Sequence, residues 1–194
     1  MAHIIVLGAG IGGMSAAYEL RGALGRDPAI TVVGEGDLFS FTPSNPWVAV
    51  GWRRPAEIQI RVPEHLARHG IAFDGVGAQK VEPEHNRVLL RDGRHLEYDY
   101  LVIATGPRLA FDEVPGLGQD GGHTQSVCTT GHAEAAWKAY QDFLATPGPV
   151  VVGAAAGASC FGPAYEFAMI LDADLRKRKL RDRVPITYVS PEPY

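Results

Sequence analysis

His3-Ile4-Ile5-Val6-Leu7-Gly8-Ala9-Gly10-Ile11-Gly12-Gly13 is the stretch on which the fold turns. Its first five residues make the short apolar run that a strand buried on both faces requires, and the run ends in glycine. Apolar residues then recur at helical spacing through Met14, Ala17, Tyr18 and Leu20. Gly8, Gly10 and Gly13 occupy the three fixed positions of G-x-G-x-x-G between strand and helix. In such a motif the first glycine permits the tight turn and the second lets backbone approach a pyrophosphate. The third lets helix pack on strand while the helix N-terminus faces the anion. Gly25-Arg26-Asp27-Pro28 breaks the helix, and Ile30-Thr31-Val32-Val33 reads as a second buried strand parallel to the first, so residues 1–35 form one βαβ unit. An acid for the ribose hydroxyls is expected about 20 residues beyond the glycines, closing that second strand. Position 34 is glycine, and Glu35 is the displaced candidate, with a solvated turn carboxylate as the alternative.

The rest of the chain is consistent with this beginning. Its 194 residues suit one large or two small domains, since domains run about 100 to 200 residues. Hydrophobic residues at 46% and charged residues at 21% describe a globular chain. A net charge of −4 argues against a protein whose main work is neutralising nucleic-acid phosphate. The 23 glycines are roughly 12% of the chain against a usual ~7%, and they cluster at strand–helix turns. Cys128 and Cys160 are too few for a disulfide framework and lack metal-site spacing, so no metal is expected. His65 and His69 have i,i+4 spacing without a zincin glutamate and read as a solvated face. The N-terminus has no basic lead before its apolar run and is not read as a secretory signal. Residues 149–171 are long and apolar enough to suggest a membrane span. Gly153, Gly157, Gly162 and Pro163 interrupt them, and a buried strand running into a turn is expected instead.

Downstream of the βαβ unit, Phe39-Ser40-Phe41-Thr42-Pro43-Ser44-Asn45-Pro46-Trp47 is irregular but too apolar for an idle surface loop. A short helix near 61–69 leads to a third parallel strand at Ile71-Ala72-Phe73. Residues 76–98 read as a β-meander with a turn at Asp92-Gly93. Tyr100-Leu101-Val102-Ile103-Ala104 is another buried strand, followed by a Gly/Pro-rich connection over 111–131 and a helix over 132–144. A second strand, turn and helix follow, and Ile186-Thr187-Tyr188-Val189-Ser190 repeats the character of residues 30–34.

Tyr98-Asp99-Tyr100-Leu101-Val102-Ile103-Ala104-Thr105-Gly106 resembles the Y-D-x-L-[VI]-I-A-T-G segment of two-dinucleotide-domain flavoproteins, the glutathione-reductase-like superfamily. That resemblance implies FAD as occupant of the first site, with Ala104, Thr105 and Gly106 beside it. The expected class is α/β: a three-layer Rossmann-like FAD-binding domain with a β-meander insertion over 1–110, a connecting segment and helix over 111–148, and the truncated start of a second, incomplete Rossmann-like domain over 149–194. Val151-Val152-Gly153-Ala154-Ala155-Ala156-Gly157-Ala158 falls where the superfamily has its second dinucleotide motif. Counted from Gly153, the second and third glycine positions hold Ala155 and Ala158, whose methyls crowd the place of a pyrophosphate, so no working NAD site is expected. Residues 36–60 contain no cysteine, unlike the disulfide reductases.

Pro43-Ser44-Asn45-Pro46-Trp47, Ala104-Thr105-Gly106-Pro107, Ser126-Val127-Cys128-Thr129 and Gly157-Ala158-Ser159-Cys160-Phe161-Gly162-Pro163-Ala164-Tyr165-Glu166 together resemble the sulfide:quinone oxidoreductases. Flavocytochrome c sulfide dehydrogenases and type-II NADH:quinone reductases are more distant relatives. The resemblance implies that Pro43 and Pro46 line the flavin ring, and that Cys128 lies by its dimethylbenzene edge, where some members tether the cofactor. It also implies that Cys160 is one of two redox cysteines carrying sulfane sulfur. His132 and Glu166 become candidates for proton handling, with helix start and simple pairing as the plainer alternatives. Cys160 also falls just ahead of a predicted helix N-terminus, a favourable electrostatic position for a nucleophilic sulfur. In the family's mechanism sulfide attacks an oxidised cysteine pair, the released thiolate passes two electrons to flavin, and quinone collects them. No third cysteine exists to complete the pair, so an N-terminal part without turnover of its own is expected. Membrane contact would come only through a missing C-terminal half, on the cytoplasmic side, and a homo-oligomer is compatible. The alternatives are a sulfide dehydrogenase or NADH:quinone reductase relative and, from another class, a non-catalytic flavin-binding fragment. The basic run Arg176-Lys177-Arg178-Lys179 reads as a helix C-terminal cluster.

Overall fold

The computed structural model describes residues 2–158 and 160–192. In chain order the elements are β1 (His3–Leu7), α1 (Ile11–Leu24), β2 (Ala29–Val33), β3 (Leu38–Ser40), α2 (Asn45–Ala49), β4 (Gln59–Arg61), α3 (Val62–Arg68), β5 (Ala72–Asp74) and β6 (Ala78–Glu82). They continue as β7 (Arg87–Leu90), β8 (His95–Glu97), β9 (Tyr100–Ile103), α4 (Thr130–Ala145), β10 (Val150–Gly153), α5 (Gly162–Lys177) and β11 (Ile186–Val189). The chain divides into two compact units, Met1–Ser40 with Gln59–Arg108, and Phe41–Ile58 with Leu109–Tyr194.

In the first unit a four-stranded sheet has the order β5-β2-β1-β9, with β1 paired in parallel to both β2 and β9, and β2 to β5. A central parallel strand must be apolar on both faces, which is why β1 is a continuous run and not an alternation. Its residues divide between the faces by their period of two. Ile4 and Val6 pack with Met14 and Ala17 of α1 and Val62 and Leu66 from α3. Ile5 and Leu7 pack with Val88 and Leu90 of the antiparallel meander β6-β7-β8. Helices, sheet and meander are therefore the three expected layers. Burying each such side chain contributes about 1.5–3 kcal/mol, so β1 alone fastens both outer layers. The meander turns at Gly93, whose φ of 86° suits glycine.

The second unit holds β10 and β11 as a parallel pair, with α5 between them in sequence and Ile170, Leu171 and Leu175 of α5 buried with Val152, Val184, Val50 and Tyr140. The stretch 39–47, read as irregular, runs into α2, whose Val48 and Ala49 are buried with Ala133 and Ala136 of α4. The compact units thus differ from the sequential expectation of 1–110, 111–148 and 149–194. Residues 41–58 leave between the paired strands β3 and β4 and bury their apolar side chains in the second unit. Sequence alone gave no sign of the β3–β4 pairing, since each strand is only three residues long. The suspected membrane stretch is β10, a turn and the first part of α5, and among the described residues no helix is long and apolar enough to cross a membrane.

Candidate functional site

The first βα turn is built by close backbone approach. Gly8 has φ 108°, its N–H bonds to the Val33 carbonyl at 2.8 Å, and a Cβ placed on it would stand 2.2 Å from the Ala104 carbonyl oxygen. A Cβ on Gly13 would stand 1.8 Å from the Gly8 carbonyl oxygen. No side chain fits at either position. Gly10 differs, with nothing within 4 Å of its absent Cβ. It is the N-cap of α1 and offers no side chain to that helix end, whose first turn also lacks any acid. The outcome is an open, uncapped N-terminus with free N–H groups, an arrangement that attracts phosphate. Ala104, Thr105 and Gly106 follow β9 beside this turn: the Ala104 N–H bonds to the Leu7 carbonyl, and Thr105 and Gly106 are exposed. A dinucleotide pyrophosphate fits this cradle because the two forced glycines bring backbone close and the third leaves room.

Gly34 shows why no acid closes β2. A Cβ there would meet the Ala9 Cβ at 2.8 Å and the Phe73 ring at 3.2 Å, so no larger residue can close β2. Glu35 follows it, exposed, and its carboxylate is paired with the Arg91 guanidinium. Arg91 was not singled out by sequence, and nothing in its local pattern sets it apart.

In the second unit the turn after β10 takes a different form. Gly153 is the last residue of its strand, and a Cβ on it would stand 2.3 Å from the Val189 carbonyl oxygen of β11. The N–H bonded to that carbonyl belongs to Ala154, at 3.2 Å, whereas in the first turn the corresponding N–H belongs to Gly8. Eight positions, 154–161, separate β10 from α5, against three between β1 and α1. Cys160 is exposed in this longer segment, two positions before α5, while Ser159 of the same motif lies outside the described residues. Glu166 is exposed within α5.

Cys128 is also a free, exposed thiol, and its N–H bonds to the Ser126 hydroxyl at 3.2 Å. Thr129 caps α4 by accepting the His132 N–H at 3.1 Å. His132 is therefore a helix-start residue, with its ring 5.4 Å from that of Phe111 and its Nδ1 buried without a hydrogen-bond partner among the described residues. Pro43 is exposed and Pro46 buried, while Asn45 between them is fully buried and accepts from the Thr130 hydroxyl at 3.2 Å. No group of three or more metal-ligating side chains occurs among the described residues.

Sequence reading missed one network. Asp174 is 1% exposed and accepts from Trp52 Nε1 at 2.7 Å, from the Tyr140 hydroxyl at 2.8 Å and from Arg178 Nε at 2.5 Å. Burial first, and then the bond to Asp174, push the Tyr140 phenol well above its ordinary range. The signal was available: Ile170, Leu171, Asp174 and Leu175 form one helical stripe, and an acid within an apolar stripe calls for buried donors.

The family model for pyridine nucleotide-disulphide oxidoreductases matches residues 2–193. The sulfide-quinone reductase of Aquifex aeolicus is 44% identical over 99% of this chain and 44% of its own length. The mitochondrial sulfide:quinone oxidoreductase of Dictyostelium discoideum is 27% identical over 96% of this chain and 42% of its own length. The crystal structure of the Aquifex aeolicus sulfide:quinone oxidoreductase superposes with a TM-score of 0.92 at 43% identity, covering all of this chain and 44% of that one. The chain thus spans less than half the length of these relatives.

Proposed function

The chain belongs to the pyridine nucleotide-disulphide oxidoreductase family, and within it we propose that these residues bind FAD and serve the sulfide-oxidising half of a sulfide:quinone oxidoreductase. The observation that carries the reading is the contrast between the turns: a glycine cradle after β1, and an alanine-lined segment presenting Cys160 after β10. Gly8 and Gly13 set the backbone of the first turn, and the N–H groups at Gly10 and the start of α1 receive the pyrophosphate. Glu35 takes the ribose, and Ala104, Thr105 and Gly106 line the dinucleotide. Pro43, Pro46 and Cys128 are assigned to the flavin ring, Cys128 beside its dimethylbenzene edge.

Bound FAD supplies a two-electron acceptor. Cys160 is one sulfur of an oxidised pair; hydrosulfide attack breaks the sulfur–sulfur bond, leaves the incoming sulfur on one cysteine and frees the other as a thiolate. With Cys128 assigned to the flavin, these 194 residues offer no second sulfur for that pair. Glu166 accepts the substrate proton, and His132, already engaged at the start of α4, is the weaker of the two candidates. The working surface faces the cytoplasmic side, and quinone is the electron acceptor of the whole protein.

Titration of the purified chain with FAD, followed by quenching of flavin fluorescence, tests the first part. Saturable binding is expected, and its absence would overturn the reading. In the enzyme to which these residues contribute, Cys160→Ser is expected to abolish bleaching of the flavin by sulfide while leaving bleaching by dithionite intact. Unchanged sulfide bleaching, or bleaching by NADH, would point to another member of the family. The 194 residues alone are expected to give no steady turnover with sulfide and a soluble quinone analogue.

A further inference from the structure

We propose that the cavity of about 620 Å³ at the C-terminal end of α5 binds a phosphate dianion. Its lining comes from two segments far apart in sequence: Gly51, Trp52 and Arg53 after α2, and Asp174, Lys177 and Arg178 at the end of α5. Cations at a helix C-terminus serve the macrodipole, which accounts for Lys177 and Arg178 by themselves. Arg53 comes from a different segment, the turn that ends α2, yet it lines the same cavity.

The charge balance favours an anion. Three cations line the cavity against one carboxylate, and that carboxylate is saturated by Trp52, Tyr140 and Arg178. Neither Arg53 nor Lys177 has a salt-bridge partner among the described residues. The guanidiniums are also held in place before any ligand arrives. Arg178 is bonded to Asp174 at 2.5 Å and lies 5.9 Å from the centre of the Tyr140 ring. Arg53 bonds to the Trp52 carbonyl at 3.1 Å and lies 5.4 Å from the Trp47 ring centre. Pre-placed guanidiniums match the fork geometry of phosphate oxygens and lose little entropy on binding. The volume lies in the range of about 300–1,000 Å³ typical of small-molecule sites.

Phosphate dianions occur on soluble monoesters and on the headgroup of phosphatidic acid, and the experiment separates these sources. The isotope-labelled 194-residue chain is titrated with inorganic phosphate, glycerol phosphate, and vesicles of phosphatidic acid or of phosphatidylcholine, with amide chemical shifts as the readout. Saturable shifts at 51–53 and 174–178 are expected, weakening as salt rises. Arg53→Gln and Lys177→Gln, both at exposed positions, are each expected to raise the dissociation constant about tenfold. Shifts at residues 8–13, where phosphate can also reach the start of α1, should be unaffected by either variant, which makes this test independent of the flavin reading. A response to the soluble anions assigns a soluble ligand, and a response to phosphatidic acid vesicles alone assigns a headgroup. Absence of shifts at 51–53 and 174–178 with every probe, or wild-type affinity in both variants, would overturn the proposal.

Discussion

The chain makes two strand–turn–helix passages, and the same kind of sequence yields different turns. After β1 three residues suffice, and two glycines are fixed by carbonyl oxygens lying 2.2 and 1.8 Å from where a Cβ would be. After β10 the path takes eight positions, and Gly157 within it has a positive φ of 84° but nothing near its absent Cβ. In the first turn glycine is demanded by packing, and in the second only by local backbone conformation. A short, tightly packed turn leaves backbone as its only functional group, which suits a pyrophosphate. A long, open one has space to present a side chain, and Cys160 is the side chain presented.

Substitution breaks or sharpens this contrast most strongly at Gly13. Gly13→Ala forces a methyl into the Gly8 carbonyl and is expected to cost about 3 kcal/mol or more, together with flavin binding. Gly157→Ala meets no neighbour and should cost only about 1 kcal/mol, the ordinary penalty for positive φ. Denaturant midpoints for the two variants check the difference. Next in size is Asp174→Asn, which weakens the buried network joining Trp52, Tyr140 and Arg178 and should cost about 2 kcal/mol, seen as a lower thermal midpoint. Glu35→Gln lies at the small end for stability, because an exposed pair with Arg91 contributes only about 0.5 kcal/mol. FAD affinity is the quantity it should change, in contrast to Arg91→Gln, and paired titrations would separate a ribose ligand from a surface ion pair.

Acid provides the mildest test. Hydrogen bonds from Arg176 and then Arg181 hold the Asp172 carboxyl below its ordinary 3.8, and a bond from Arg87 holds Glu82 below its ordinary 4.5. A depressed folded value means that the unfolded chain binds protons first as pH falls, so the stabilisation is complete above those ordinary values and is lost below them. Both carboxyls are close to solvent, so the loss should be small and further reduced by salt. Asp172→Asn in the second unit and Glu82→Gln in the first should each flatten the acid limb of a stability–pH profile.

Much of this fold could be read from residues 3–35 because a doubly buried strand, a glycine turn and an amphipathic helix each leave a strong local pattern. The meander was legible for a similar reason, through Asp92-Gly93 and its flanking apolar residues. The placement of 41–58 was not, because Val48 and Ala49 find their partners at Ala133 and Ala136, a relation that no local period encodes. In the site, the forced roles of Gly8 and Gly13 matched the motif. The closing acid at position 34 failed because Ala9 and Phe73 fill the space, and these neighbours come from other elements. Counting the second motif from Gly153 presumed a turn like the first. The pairing of Ala154 with Val189 and the late start of α5 depend on chain path, which residue spacing does not record.

Amide hydrogen exchange on the intact chain, with FAD and with NADH, addresses the contrast most directly. FAD should protect the amides of residues 10–13, and NADH should leave those of residues 154–158 unchanged. Protection of 154–158 by NADH, or free exchange at 10–13 with FAD in excess, would contradict the division of roles between the two turns.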